Sequence, residues 1–238
     1  MQAVICLPTY NERENLEPML RALGEVLRGE GRVLVIDDAS PDGTGELADR
    51  LAAELGYVDV LHRNRKEGLG PAYVAGFREA LAQGAEAIVS IDCDFSHDPR
   101  DVPRLLAAAE DADLVLGSRY VEGGRVENWG RLRRFVSTGG SLYARVALGA
   151  GIRDLTGGFK CYRRRVLEQI ELDRVSARGY AFQIETTYRA LRAGFRVVEV
   201  PITFVDRTVG QSKMGPGIFA EAVWRVPALR LRAIRGRL

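Results

Sequence analysis

Residues 90–99 read SIDCDFSHDP, and they follow the apolar run Ala87-Ile88-Val89, which Ile91 continues. Asp92, Asp94 and Asp98 therefore close a segment patterned like a buried strand, with Ser96 and His97 among them. Two kinds of chemistry suit this spacing. A D-x-D pair after a strand can hold a hard divalent cation, because Mg²⁺ often uses one or two carboxylates together with substrate phosphate oxygens. Asp94 would then bind the ion, Ser96 would add a hydroxyl or hold a coordinating water, and Asp92 would orient the shell or bind substrate. Alternatively the acids cap the helix that begins at Pro99, since Asp and Ser are strong caps and Pro suits a first turn. Asp98 is assigned to capping; by themselves Asp92 and Asp94 fit either reading. His97 is expected to be a surface turn histidine, and His62 a strand-end residue.

The elements that must carry these residues alternate. Apolar runs at 3–7, 33–36, 58–61, 87–91 and 114–116 read as strands. Between them, residues 13–28, 45–55, 73–82 and 99–109 read as helices; Leu16, Met19, Leu20, Leu23, Val26 and Leu27 show the helical period most clearly. Strand–helix alternation with short connections implies a parallel sheet with right-handed crossovers, covered by helices on both faces. Open parallel sheets bind ligands at the C-terminal edge of their strands. The segments PTYNE (8–12), DDASPDG (37–43) and DCD (92–94) should meet there, although they are far apart in sequence. Neither the dinucleotide fingerprint G-x-G-x-x-G after the first strand nor a phosphate-binding P-loop is present, so a nucleotide must be held in another way.

Composition narrows the class. The chain has 238 residues, 46% hydrophobic and 28% charged, as in an ordinary globular protein. A net charge of +2 gives no reason to expect a nucleic-acid partner. Cys6, Cys93 and Cys161 are odd in number and widely spaced, which argues against a disulfide framework or four-ligand zinc site and for a reducing compartment. No window approaches the roughly 18 apolar residues of a membrane span, and the N-terminus reads as a first strand, not a signal peptide.

Seven segments, in order, carry a resemblance: LPTYNERENL (7–16), VIDDASPDGT (35–44), GLGPAYVAGF (68–77), DCDFSHDP (92–99), GSRYVEGG (117–124), DLTGGFKCYRR (154–164) and FVDRTVGQSK (204–213). Together they resemble the motifs of dolichyl- or polyprenol-phosphate mannose synthases, family 2 glycosyltransferases with the GT-A nucleotide-sugar fold. The early motifs are shared broadly in family 2; GSRY, LTGGFK and FVDR with GQSK are narrower. The resemblance implies a mainly parallel, twisted α/β sheet and a catalytic domain over residues 1–213. It further implies transfer of mannose from GDP-mannose to a polyprenyl or dolichyl-type monophosphate with inversion, using Mg²⁺ or Mn²⁺. Two alternatives are a transferase using UDP-glucose or another nucleotide sugar, and a non-catalytic nucleotide-sugar-binding protein.

By the same resemblance, Pro8, Tyr10, Glu12, Ile36 and Asp38 match positions that hold the nucleoside. Asp92, Cys93 and Asp94 match the family's D-A-D segment, and Asp94 with Ser96 its metal site. Some members have Gln where this chain has Ser96, so the second ligand differs in kind. Arg119, Arg207 and Lys213 match residues around the diphosphate and sugar, and Arg133 with Ser137 matches a site for the acceptor phosphate. Donor and acceptor both carry phosphate, and Arg and Lys are the side chains that gather it. Arg207 and Lys213 flank Gly210 in a segment expected to close over the diphosphate. A lipid monophosphate is largely dianionic at neutral pH, so no catalytic base is assigned.

Residues 214–238 form a basic C-terminal segment. Ile218, Phe219, Ala222, Val223 and Val226 make an apolar stripe, and Arg225, Arg230, Arg232, Arg235 and Arg237 follow. Such a helix can lie on an anionic membrane surface or pack on the domain; Pro227 is expected to kink or divide it. The expected protein is peripheral, on the cytoplasmic side of a membrane, with a possible membrane partner protein.

Overall fold

A computed structural model describes all residues except 176, 178, 180, 207–215 and 236–238; the side chains of 131–133 and 216–223 also lie outside the description. Strands β1 (Ala3–Thr9), β2 (Gly31–Asp37), β3 (Val58–His62), β4 (Ala87–Ser90) and β5 (Leu114–Ser118) occupy the five predicted positions. Helices α1 (Arg13–Leu27), α2 (Thr44–Leu55), α3 (Leu69–Ala82) and α4 (Val102–Ala108) lie between them. A single 3₁₀ turn, Pro99–Asp101, precedes α4, and Asp98 caps it by accepting the Arg100 N–H at 2.9 Å.

The later elements are β6 (Arg125–Glu127), α5 (Arg131–Leu148), β7 (Lys160–Arg163), α6 (Arg164–Gln169), α7 (Ala181–Arg192), β8 (Val197–Pro201), β9 (Thr203–Val205) and α8 (Pro216–Ile234). The main sheet runs β3-β2-β1-β4-β7-β5-β8, and β6 pairs with β9 beside it. All neighbours in the main sheet are parallel except β7, which is antiparallel to both β4 and β5. The chain steps outward from β1 to β3, then returns through α3 to place β4 on the other side of β1. The gap beyond the C-terminal ends of β1 and β4 is therefore a topological switch point, where open α/β sheets take ligands.

Alternation along the strands divides the core. Ile5, Leu7, Val33, Val35 and Val89 pack under α1, α2 and α4, whereas Val4, Cys6, Leu34, Ile36 and Ile88 pack under α3 and the later helices. The three cysteines are buried and form no disulfide. Pro227 does not divide the C-terminal segment: α8 is one helix through it, and Val226, Leu229 and Ala233 are buried against α5 and α7. Its other side exposes Trp224, Leu231 and Ile234. No helix among the described residues is long and apolar enough to cross a membrane.

Candidate active site

A cavity of about 330 Å³ opens at the switch point. Pro8, Thr9 and Tyr10 from the end of β1 form one wall, and Asp92, Cys93 and Asp94 from the end of β4 another. Asp38, Lys66, Gly68 and the first turn of α3 close one side, while Arg119, the Thr156–Gly158 stretch, Gln183 and Phe204 close the other. Pro8, Tyr10, Glu12, Asp38, Asp92, Cys93, Asp94 and Arg119 thus share one cavity, as the strand-edge argument requires.

Three expectations change. His97 is not a surface residue: it is 3% exposed, borders the cavity, and packs between Phe159 and Phe204 with ring centres 5.3 and 5.1 Å away. The cause is a single β-bridge between His97 and Phe204, which folds β9 over the DCD turn. Ile36 does not border the cavity; its side chain fills the core below α3, so close to Gly76 that a Cβ there would lie 2.5 Å from Ile36 Cδ1. Ser96 is buried and also lies off the cavity wall. Its N–H donates to Asp94 Oδ1 at 3.0 Å and its C=O accepts from Val205 N at 3.1 Å, so it shapes the turn through its backbone.

Each acid is held differently. Asp38 pairs with Arg63 and accepts the Glu67 and Gly68 N–H groups, Gly68 at 3.1 Å, which fixes the loop that enters α3. Asp92 Oδ1 accepts the buried Tyr73 hydroxyl at 3.2 Å. Burial, then the Asp92 charge, raises the Tyr73 hydroxyl well above its ordinary value, so it is a permanent donor. Asp92 Oδ2 lies 3.8 Å from His97 Nδ1. Burial pushes His97 down to about 4 despite the opposing Asp94 charge, so the imidazole is neutral at pH 7 and this approach is no ion pair.

Arg119 is gripped from behind. Its Nε and Nη2 donate to the two oxygens of Asp154, both at 2.7 Å, and its N–H donates at 3.0 Å. Thr156 Oγ1 accepts from Nη2 at 2.8 Å. Burial acts to raise the Asp154 carboxyl, but the Arg119 charge and these hydrogen bonds outweigh it and hold it below the usual range. Arg119 reaches the cavity as a fixed cation and Lys66, over the Tyr10 ring at 3.7 Å, as a second.

The donor set bears on a metal ion. Among the described residues no three His, Cys, Asp or Glu side chains converge into a complete metal site. Among the described residues the cavity nonetheless borders on Glu12, Asp38, Asp92 and Asp94 against Lys66 and Arg119, so carboxylates exceed cations there. A diphosphate would meet repulsion there unless a divalent ion joined it to Asp94 and Asp92. Two acids plus phosphate oxygens is the shell that Mg²⁺ or Mn²⁺ accepts, so the residues fit the group. The unpaired Nδ1 of His97 faces the same acids.

Helix α5 forms an outer wall. Ser137 Oγ lies 2.7 Å from Tyr120 OH, and Ser141 Oγ lies 3.0 Å from the cavity residue Thr156. Arg133 is on the same helix, but its side chain lies outside the described residues, as do Arg207 and Lys213 entirely. Taken one by one in the sequence, Lys66, Tyr73, Asp154, Thr156, Gln183 and Phe204 do not stand out as site residues, and His97 is expected at the surface of a turn. The segments DLTGGFK and FVDR did flag Asp154, Thr156 and Phe204; a lone Lys66 or Gln183 carries no signal of its own.

Comparison with known proteins places this geometry. The chain is 49% identical over 242 residues to an undecaprenyl-phosphate mannosyltransferase of Micrococcus luteus, covering 100% of this chain and 99% of that one. It is 48% identical to a polyprenol monophosphomannose synthase of Mycolicibacterium smegmatis, covering 100% of this chain and 89% of that one. The fold is similar to that of a Mycobacterium tuberculosis glucosyl-3-phosphoglycerate synthase solved with Mn²⁺, UDP-glucose and phosphoglyceric acid (TM-score 0.65, 20% identity, 98% of this chain and 79% of that one). A Pyrobaculum calidifontis mannosyltransferase solved with GDP-Man and Mn²⁺ is also similar (TM-score 0.59, 19% identity, 98% of this chain and 73% of that one). The GT-A arrangement inferred from the motifs is the arrangement found. Residues 4–171 match the model of glycosyl transferase family 2, and the chain belongs to that family.

Proposed function

We propose that the chain transfers a mannosyl group from GDP-mannose to a polyprenyl monophosphate, with inversion, releasing GDP. The observation that carries this reading is the pairing of an acidic cavity with an apolar outer wall on the same helix. The inner side of α5 packs behind the cavity, with Ser141 against the lining residue Thr156 and Ser137 against Tyr120, whereas its solvent side exposes Phe135, Leu142 and Val146 at 76%, 57% and 68%. An amphipathic helix in solution hides such residues; exposed ones mark a lipid or protein surface. The names of the two relatives nearly half identical to this chain support the lipid reading.

The residues divide the work. Tyr10, Asp38 and Lys66 border the part of the cavity suited to the nucleoside and the diphosphate. Asp94 and Asp92 would hold Mg²⁺ or Mn²⁺, which when bound offsets charge on the diphosphate leaving group. Arg119, fixed by Asp154, adds a directed positive charge there without reorganising. Tyr73 keeps Asp92 in one orientation. Arg133 and Ser137, at the start of α5, would receive the acceptor phosphate, and Arg207 with Lys213 would close over the diphosphate. The lipid phosphate is already an anion, so attack on the anomeric carbon needs no strong base from the protein.

The exposed faces of α5 and α8, with Arg225 and Arg232 on the latter and Arg235 just after it, suit a peripheral position on the anionic cytoplasmic leaflet. The test is transfer of label from GDP-[¹⁴C]mannose to polyprenyl phosphate in vesicles with Mn²⁺, beside UDP-glucose and other donors. Formation of a mannosyl-phosphate lipid with release of GDP is expected. Transfer from UDP-glucose alone, or donor binding without transfer, would overturn the reading.

A further inference from the structure

Gln183, in the first turn of α7, is 2% exposed and borders the cavity, yet its side-chain Oε1 has no hydrogen-bond partner. Folded proteins rarely leave a buried polar atom unpaired, and one that faces a ligand cavity is ready for a ligand group. Its surroundings favour that reading. A Cβ built on Gly158 would lie 3.4 Å from Gln183 Nε2 and 3.5 Å from Asp92 Oδ2. The amide and the carboxylate therefore flank one glycine, with no side chain between them. Gly158 is itself fixed, since its C=O accepts the Ser90 hydroxyl at 2.7 Å. Asp92 is turned by Tyr73, which occupies Oδ1 at 3.2 Å.

The backbone of Gln183 is clamped from below. Lys160 Nζ donates to Gln183 O at 2.6 Å and to Thr187 Oγ1 at 2.9 Å. Lys160 is wholly buried in β7, two residues after Gly158. An ammonium group is a poor choice for filling a core, because burial disfavours its charge. Here it ties the first turn of α7 to the strand that delivers Gly158, so amide and glycine keep one spacing.

We propose that Gln183 and Asp92 together read hydroxyl groups of the transferred sugar, and that Lys160 positions Gln183 for this task. The inference rests on the nucleotide-sugar transferase reading above. The chemistry is complementary: each sugar hydroxyl both donates and accepts, a carboxylate accepts, and an amide does both. A site built to hydrogen-bond a substrate hydroxyl can reject an analogue that lacks it by about 10⁴–10⁵-fold, because the protein's buried group is then left unpaired.

Calorimetry of GDP-mannose and of GDP alone, each with Mn²⁺, tests the pair, together with the turnover ratio of GDP-mannose to GDP-glucose. Wild-type chain should bind GDP-mannose more tightly than GDP. Gln183→Ala should lose most of that difference while GDP affinity stays within about twofold, and the turnover ratio should fall about tenfold. Lys160→Met should move the ratio in the same direction with GDP binding intact. A variant that merely folds less well loses turnover with every donor alike and leaves the ratio where it was. Gly158→Ala, which fills the gap between the two groups, should weaken GDP-mannose more than GDP. Folded Gln183→Ala with an unchanged difference and ratio would overturn the inference and leave the transferase reading standing. Wild-type chain that binds no nucleotide sugar would overturn both.

Discussion

Arg119 and Asp154 meet through two parallel hydrogen bonds of 2.7 Å, with the carboxylate entirely buried and the guanidinium at the cavity wall. The pair comes from opposite ends of the α5 excursion, yet it fixes the one cation that the end of β5 presents to the site. Asp154 is in turn held by Glu199, which accepts its N–H at 2.8 Å. Removing one member of a buried pair leaves the other charged and uncompensated, at a cost of about 3–5 kcal/mol. Asp154→Asn should therefore lower stability by that order in urea denaturation and weaken GDP-mannose binding. Arg119→Met, which leaves the acid free to protonate, should cost less stability and more activity. Equal stability of Asp154→Asn and wild type would show that the pair does not hold the wall.

Asp94→Ala should reduce mannosyl transfer by about 100-fold or more, the scale for loss of a group that stabilises developing charge. The fold should persist, because Asp94 lies in a turn and its described hydrogen bond is to Ser96 N. Mn²⁺ binding in the presence of GDP, followed by electron paramagnetic resonance, should be lost in parallel. Normal Mn²⁺ binding by this variant would move the ion away from the DCD turn.

Tyr73→Phe removes one hydroxyl and little volume. The ring should stay in place, since it stacks on Phe77 and Phe182 at 5.5 and 5.8 Å. Stability should change by about 1 kcal/mol, the net worth of one hydrogen bond. Turnover should fall more, by about tenfold, because Asp92 loses the donor that orients it. An unchanged turnover number would mean that Asp92 is oriented without Tyr73.

Lys160 gives a pH dependence with a definite sign. Burial lowers its ammonium from the ordinary 10.5 to about 7, against a weaker opposing pull from Asp154. Between these values the unfolded chain carries the proton more often than the folded chain. The Lys160 contribution to stability must then rise with pH from about 7 to about 10, and stay flat and unfavourable below 7. Lys160→Met should thus be more stable than wild type at pH 7, and its advantage should shrink by about 1.4 kcal/mol per pH unit above that. Urea denaturation of both proteins from pH 7 to 9 measures the difference, and a difference independent of pH would refute the assignment.

A triple change of Phe135, Leu142 and Val146 to Ser tests the outer wall. These side chains are exposed, so stability should move by no more than about 0.5 kcal/mol per site. GDP-mannose binding should be unaffected, whereas co-sedimentation with anionic vesicles and turnover on polyprenyl phosphate should fall. Full turnover on vesicle-borne acceptor would take the lipid surface elsewhere.

The sequence by itself determined the repeating part of this molecule. Five apolar runs became β1 to β5 and four periodic segments became α1 to α4, because strand alternation and helix period are local properties. It also determined that PTYNE, DDAS and DCD would share an edge, since parallel strands with helical crossovers all end on one side. What it left undecided came from contacts between segments distant in sequence. β7 runs against its neighbours, so Gly158 and Lys160, which precede and open it, reach the edge where β4 and β5 end. No periodicity announces a four-residue strand of reversed direction. His97 is expected at the surface because it sits in a turn, but the bridge to Phe204, more than a hundred residues later, buries it. Ile36 belongs to a motif that the resemblance ties to the nucleoside, but strand alternation turns its side chain into the core beside Gly76, whereas Asp38 reaches the cavity. Local pattern sets which residues can form strands, helices and turns; only the packing of those pieces sets which buried polar groups, such as Gln183, end up facing the cavity unpaired.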